Sequence, residues 1–313
     1  MGDLTILGVD CGATKIIAQS VNFDQNTKML IPDDFHMELS YSDRPNWNPG
    51  FIPVNLDLQQ QEFSKGNICL TESEIDQGDV IVETIQQVIH QSGVDSIGLC
   101  FPGIKNDQGI VIMANGPRIP DLLGSISGID SLYHDSDCCV LGEWKSSIGK
   151  LEKCNNAVYI GGGTGIADGI LLKGALIDFN QRNDVKRSWE LFMPDGHSVE
   201  YSLSPKGMID QWNSSQNEDM DSLNQLIQYE NALSIFQKAT EAFSFLIQDR
   251  IEFFKRNHSE IEKVVIGQRL GQFLSQNDSS FKSMIESSKE IPIEYSSDRR
   301  TAAVGAAWKK ACL

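Results

Sequence analysis

The chain has 313 residues, with 43 Asp and Glu against 26 Lys and Arg, a formal net charge of −17. With 40% hydrophobic and 22% charged residues, it is a globular protein long enough for two packed domains or one large one. The acidic field has no Lys/Arg run to oppose it, which argues against a nucleic-acid partner, and no apolar segment is long enough to span a bilayer.

In chain order, residues 4–9 (LTILGV) and 16–23 (IIAQSVNF) predict a strand pair around the turn DCGATK. The first run lacks a basic n-region and an extended h-region, so it is read as a strand and not as a signal peptide. The stretch 26–78 is polar, holds Pro32, Pro45 and Pro53, ends on the acidic run ESEIDQGD, and is read as irregular strands or a flap. Ile81, Ile85, Val88 and Ile89 share one helical face in DVIVETIQQVIHQSG, with Gly93 as the stop. DSIGLCFPG reads as a buried strand ending at Pro102-Gly103, KNDQG as a turn, IVIMAN as another strand, and DCCVLGE as a short buried strand ending on a carboxylate. AVYIGGGTGIADGILLKGAL, residues 157–176, is again two apolar runs around a glycine-threonine turn. Apolar spacing predicts a long amphipathic helix over 229–256, followed by the strand KVVIG and a terminal helix TAAVGAAWKKA with small packing residues. Strands alternating with helices give an α/β class. The seven cysteines show no C-x-x-C or metal-type spacing, which fits reduced thiols in a cytoplasmic protein.

Two similar strand–turn–strand units half a chain apart suggest internal duplication. In each, small residues let backbone N–H groups approach a ligand, and a threonine hydroxyl is adjacent; Asp10 and Lys15 flank the first turn. That chemistry suits phosphate and its magnesium. No G-x-x-x-x-G-K-[ST] is present, and around Gly163 the order G-T-G-I-A-D-G misses G-x-G-x-x-G.

With these motifs in this order, the sequence resembles the ROK family of sugar kinases, within the actin/hexokinase/Hsp70-like ATPase superfamily. GVDCGATKI is similar to the family's first phosphate motif, IGLCFPG with MANGPRIPD to its central segment, and YIGGGTGIADGI to its second phosphate motif. VLGEWKSSIGK stands at the N-D-A-N-A segment, KVVIGQRLGQFL at the adenosine-site strand, and TAAVGAAWKKA at the closing helix. The resemblance implies a two-lobed actin-like, ribonuclease H-like α/β fold with a nucleotide cleft between the lobes. The N-terminal lobe would be 1–116 with 300–313 packing back on it, and the C-terminal lobe 117–299. It further implies ATP-dependent phosphoryl transfer to a hydroxyl of a sugar or amino sugar, with ATP and Mg²⁺ as cofactors, a small sugar as the partner, and no nucleic acid or membrane. The oligomeric state is left open, with a homodimer among the alternatives.

By the same resemblance, Asp10 would hold Mg²⁺ through water, and Gly12, Ala13, Thr14 and Lys15 would face the phosphates, as would Gly163, Thr164 and Gly165. Gly267 would lie by the adenosine. Asn115, His197 and Glu200 would contact the sugar, a set of donors and acceptors suited to hydroxyls. The catalytic carboxylate falls at Glu143, with Gly142 where asparagine is usual, and Gln268 and Arg269 replace small residues beside the adenosine site. The family's cysteine-rich zinc segment is missing, so no zinc is expected. The alternatives are a non-catalytic sugar- or nucleotide-sensing protein on the same fold and an ATPase acting on a non-sugar acceptor.

Overall fold

The computed structural model describes residues 5–288 and 290–312. Residues 1–4 of the expected N-terminal lobe and Leu313 of its closing segment lie outside them. The chain divides into two compact units: one runs to Ile148 and resumes at Arg300, and the other is Gly149–Arg299.

In the first unit, β1 (Thr5–Cys11) and β2 (Lys15–Asp24) form a hairpin, extended by β3 (Met29–Ser40). Then come α1 (Leu56–Ser64), α2 (Glu72–Ser92), β4 (Ile97–Phe101), the small hairpin β5 (Ile104–Lys105) and β6 (Ile110–Ile112), α3 (Leu122–Ser125), β7 (Leu132–His134) and α4 (Asp135–Lys145). The second unit contains β8 (Ala157–Gly162), β9 (Ile166–Leu172), β10 (Ala175–Leu176), α5 (Val199–Leu203), α6 (Pro205–Gln216), α7 (Leu223–Leu226), α8 (Leu233–Arg256), β11 (Lys263–Gly267), α9 (Gln268–Gln276), α10 (Ser280–Ser287) and β12 (Ile293–Tyr295). The last helix, α11 (Thr301–Ala311), returns to the first unit.

The two main sheets have one topology. Strand order is β3-β2-β1-β4-β7 in the first unit and β10-β9-β8-β11-β12 in the second. Each has two antiparallel pairings on the hairpin side and two parallel pairings on the other. The repeat seen in the sequence is therefore a repeat of whole sheets. Each unit has its own core. The first gathers Leu7, Val9, Ile81, Ile85, Leu99 and Phe101, and the second Val158, Ile170, Phe243, Leu246, Phe254 and Ile266.

Three expectations are corrected. Residues 137–143 lie in helix α4, not in a strand. The run Cys138–Leu141 gave no amphipathic signal because the helix is buried all round from Cys138 to Glu143, and only its charged ends, Asp135 and Asp137 against Lys145, mark it as one. The acidic run 72–79 is the start of α2, where Thr71 and Glu74 make a reciprocal capping box, and Gly93 ends the helix at φ 63°. The division falls after Ile148 and not after 116, because β7 pairs with β4 and α4 packs on α11. The segment 26–78 holds β3, α1 and the first turns of α2. No helix among the described residues is long and apolar enough to cross a membrane.

Helix α11 sits against bare backbone. A Cβ on Gly142 would lie 1.8 Å from the Thr301 carbonyl oxygen, and one on Gly305 1.8 Å from that of Cys138. Gly142→Ala should therefore destabilise the protein by about 1–3 kcal/mol, against the stabilisation that alanine brings to an open helix position. Denaturant unfolding of the variant checks this, and an unchanged midpoint would contradict the close crossing.

Candidate functional site

In open parallel sheets, ligands bind outside the carboxyl ends of the strands. In the first unit, the β1–β4–β7 register sets Asp10 beside Cys100, Cys100 beside Tyr133 and Phe101 beside His134. One end of this sheet therefore collects the turn after Asp10, the Pro102-Gly103 turn after β4, and the β7–α4 junction. Gly12 N–H donates to the Lys15 carbonyl at 2.9 Å, closing the turn, and the Thr14 side chain is exposed. Asp10 is half-buried and accepts from the Cys100 thiol at 3.5 Å. Lys15, expected to face phosphate, forms an ion pair with Glu38 of β3.

The structure brings to this end three residues that the sequence reading missed. Asp135 is the first residue of α4 and is half-buried at the end of β7. His134 precedes it, and Lys105 Nζ lies 3.2 Å from His134 Nδ1 while donating to the Gly103 carbonyl at 2.9 Å. Burial pulls the Lys105 ammonium below its usual range, and Asp135 opposes this. Burial pushes the Cys100 thiol well up, helped by neighbouring Cys138 and Asp10, so the Cys100 sulfur is not poised as a nucleophile.

Glu143 is not at this end. It lies eight residues further along α4, about 12 Å down the helix axis at 1.5 Å per residue, and is 0% exposed. The signal that could have found Asp135 is H-D-S-D-C at 134–138, which carries an aspartate in the same second place as N-D-A-N-A and two acidic residues in a helical first turn. Reading the following apolar run as a strand hid that helix start. Asn115 is exposed three residues after β6. Met113, two residues before it, is a neighbour of Gly103, where a Cβ would lie 3.1 Å from the Met113 sulfur.

In the second unit, β8 and β11 pair with Gly161 beside Gly267, so the turn Gly163–Gly165 and Gly267 share one sheet end. Gly163 N–H donates to the Gly165 carbonyl at 2.9 Å. Glu200 of α5, expected at the sugar, accepts from Ile166 N–H at 2.8 Å and lies against Gly165, so its carboxylate braces the base of the turn. His197 is exposed, stacks on Tyr201 at 4.9 Å, and lines a shallow depression with Lys238. The structure therefore brings Gly163, Thr164, Gly165, Gly267 and Glu200 together, with His197 facing Tyr201. Asp168, in β9 and not in the turn, pairs with buried Arg250 at 2.6 Å. Gly267 is demanded by Tyr159, whose hydroxyl oxygen would lie 2.5 Å from a Cβ there. Gln268 follows in the left-handed region at φ 58°, its Cγ 3.0 Å from where a Gly161 Cβ would stand, and Arg269 is exposed.

The residues fit magnesium and phosphate. Mg²⁺ keeps several waters and takes one or two carboxylates plus substrate phosphates, and Asp10 beside the turn supplies such a carboxylate. Among the described residues there is no group of three or more His, Cys, Asp or Glu placed to hold a metal by itself.

Comparison of folds decides the architecture. A ROK family glucokinase from Streptomyces griseus, solved with glucose and AMPPNP, superposes with a TM-score of 0.65 over 97% of this chain and 98% of that one, at 15% identity. The chain has the fold of the ROK sugar kinases. The ROK hexokinase of Thermus thermophilus gives 0.61 over 97% of both chains at 16% identity. A ROK family transcriptional regulator gives 0.60, covering 98% of this chain and 78% of its own, at 15% identity. No protein-family model matches the sequence, and no curated protein does. The ROK kinase fold thus carries both kinases and a regulator, so activity has to be argued from residues.

Gln268 gives a direct check on the second sheet end. A left-handed non-glycine residue costs roughly 1–2 kcal/mol, and glycine gives back about 0.4–1 kcal/mol through the unfolded chain. Gln268→Gly should therefore match or exceed the wild-type stability, and Gln268→Val should fall below both. Thermal unfolding of the three proteins reads this, and a less stable Gly variant would contradict the assigned strain.

Proposed function

We propose that the chain transfers the γ-phosphoryl group of ATP to a hydroxyl of a sugar or amino sugar, with Asp135 and not Glu143 as the general base. The observation that carries this is Asp135 at the N-terminus of α4, at the same strand end as Asp10. β1 and β7 flank β4, so the backbone at the two strand ends stands about two strand spacings, or ~10 Å, apart. That leaves room for a phosphoryl group and an attacking hydroxyl.

Asp135 is the first residue of α4. Its carboxylate takes the proton of the acceptor hydroxyl as that oxygen bonds to the γ-phosphorus, and the bond from phosphorus to the β,γ-bridging oxygen breaks to leave ADP. With the first turn closed by the Gly12 N–H, Ala13 and Thr14 present backbone N–H groups and a hydroxyl to phosphate oxygens, and Thr164 and Gly165 offer the same chemistry in the second unit, on the turn closed by the Gly163 N–H. Bound through Asp10 and its waters, Mg²⁺ would neutralise charge on the phosphates. Positioning and charge neutralisation supply most of the rate in such transfers. Asn115 and His197 are the proposed sugar contacts, Gly267 is the proposed adenosine neighbour, and Glu200 serves as a brace of the second turn. A small sugar partner and cytoplasmic residence belong to the same reading.

A second reading, a non-catalytic sensor, is favoured by one observation: the Gln268 side chain lies over Gly161 at the strand end where adenosine would dock. An ATP-consumption screen across hexoses, N-acetylhexosamines and amino sugars, with ATP alone as control, separates the two readings. Acceptor-dependent turnover supports the kinase; binding without turnover across the screen supports the sensor. With an acceptor in hand, Asp135→Asn should lower kcat by roughly a hundredfold or more, the scale of a positioned base. Folded Glu143→Gln should stay within about tenfold of wild type, since a buried helix residue away from the acceptor has no proton to take. The reverse order would return the role to Glu143.

A further inference from the structure

The polar stretch before α2 has no role legible in the sequence, yet it contains a fully buried amide that is bonded through both its oxygen and its nitrogen. Gln59, in α1, is 0% exposed. Its Oε1 accepts from Met113 N–H at 2.8 Å, and its Nε2 donates to the Met113 carbonyl at 3.0 Å and to the Val54 carbonyl at 2.7 Å. One side chain thus satisfies both backbone groups of Met113, as a neighbouring strand would, one residue after β6 has ended. Five residues further on, Arg118 is 1% exposed and grips the same insertion. Its Nε and Nη2 each donate to a Glu74 oxygen at 2.8 Å, Nη2 also donates to the Cys69 carbonyl at 3.1 Å, and Nη1 pairs with Glu62. Between these two clamps the chain surfaces, with Ala114 and Asn115 exposed.

We infer that Gln59 is a positioning residue for the phosphoryl acceptor: it fixes the backbone at Met113 from which Asn115 is presented. The inference rests on the proposed contact of Asn115 with the acceptor. The geometry requires an amide. Leucine would leave a buried N–H and a buried carbonyl without a partner, and glutamate would keep the acceptor for Met113 N–H while setting a carboxylate against the Met113 carbonyl. The Arg118 clamp holds the far end of the loop independently, so loss of Gln59 should loosen Met113–Asn115 without releasing the whole segment.

The test uses the full-length chain as wild type, Gln59→Leu, Gln59→Glu and Asn115→Ala. Hydrogen exchange is followed over residues 112–118 and, as an internal control, over β1 and β4. Steady-state kinetics use Mg·ATP with glucose, N-acetylglucosamine and glucosamine. In both Gln59 variants, exchange should accelerate in 112–118 and stay at the wild-type rate in β1 and β4. The acceptor KM should rise about tenfold, the scale of one lost hydrogen-bonding partner, with the KM for Mg·ATP unchanged. Unchanged exchange in 112–118, or equal effects on both substrates, would overturn the role of Gln59. If Asn115→Ala leaves the acceptor KM unchanged while Gln59→Leu accelerates exchange, the clamp exists but the acceptor contact does not, and the positioning role falls with it. A wild-type protein that turns over none of the three sugars would remove the acceptor role of the loop by a result distinct from failure of the clamp.

Discussion

The seat of α11 on bare backbone is the constraint on which the first unit depends. A Cβ on Gly8 would stand 1.8 Å from the Ala303 carbonyl oxygen, and one on Gly98 2.1 Å from that of Ala306. The helix therefore lies directly over β1 and β4, closer than any side chain would allow. On its other contact it meets α4 at Gly142 and Gly305 with the same closeness. Interiors packed this tightly transmit position as well as stability. Because α11 fixes where α4 runs, it also fixes where α4 begins, and that start is Asp135. The carboxylate at the end of β7 is thus held in place by packing on residues that carry no chemistry.

The second unit shows the same economy of backbone. Tyr159 sits beneath Gly161 and Gly267, Leu270 crowds Gly162, and the Glu200 carboxylate fills the space beside Gly165. Side chains from below and beside force the strand end to be glycine, and the bare strand end is what a phosphate or a base could approach. Close packing and ligand access therefore demand the same residue, which is why glycine-rich turns in the sequence carried information about both.

What could be read in advance follows from this. The two hairpins, α2, α8, α11 and the parallel strands β4 and β11 were legible because each is amphipathic, a buried apolar run or bounded by a turn of specific chemistry, whereas β7 and β12 went unread. Cys138–Glu143 was not, since a helix buried on every side has no polar face to reveal its period. With the helix start unseen at Asp135, the sequence reading settled on Glu143, eight residues beyond the aspartate proposed here as the base. The stretch around Gln59 was opaque for another reason. Its contacts are to Met113 and Arg118, more than fifty residues away, and no local pattern encodes a partner at that distance. Glu200 was singled out as a sugar contact, whereas its carboxylate accepts from Ile166 N–H beside the second turn.

The central claim is that the paired turns hold polyphosphate. Isothermal calorimetry with Mg·AMPPNP, against wild type, Asp10→Ala and Thr164→Val, with adenosine as the comparison ligand, tests it most directly. The expected result is binding of Mg·AMPPNP by the wild-type protein, weakened about tenfold or more in each variant by the loss of a charged or hydroxyl contact, with adenosine binding unaltered. Wild-type protein that binds no Mg·AMPPNP, or variants that bind it as tightly as wild type, would contradict the account.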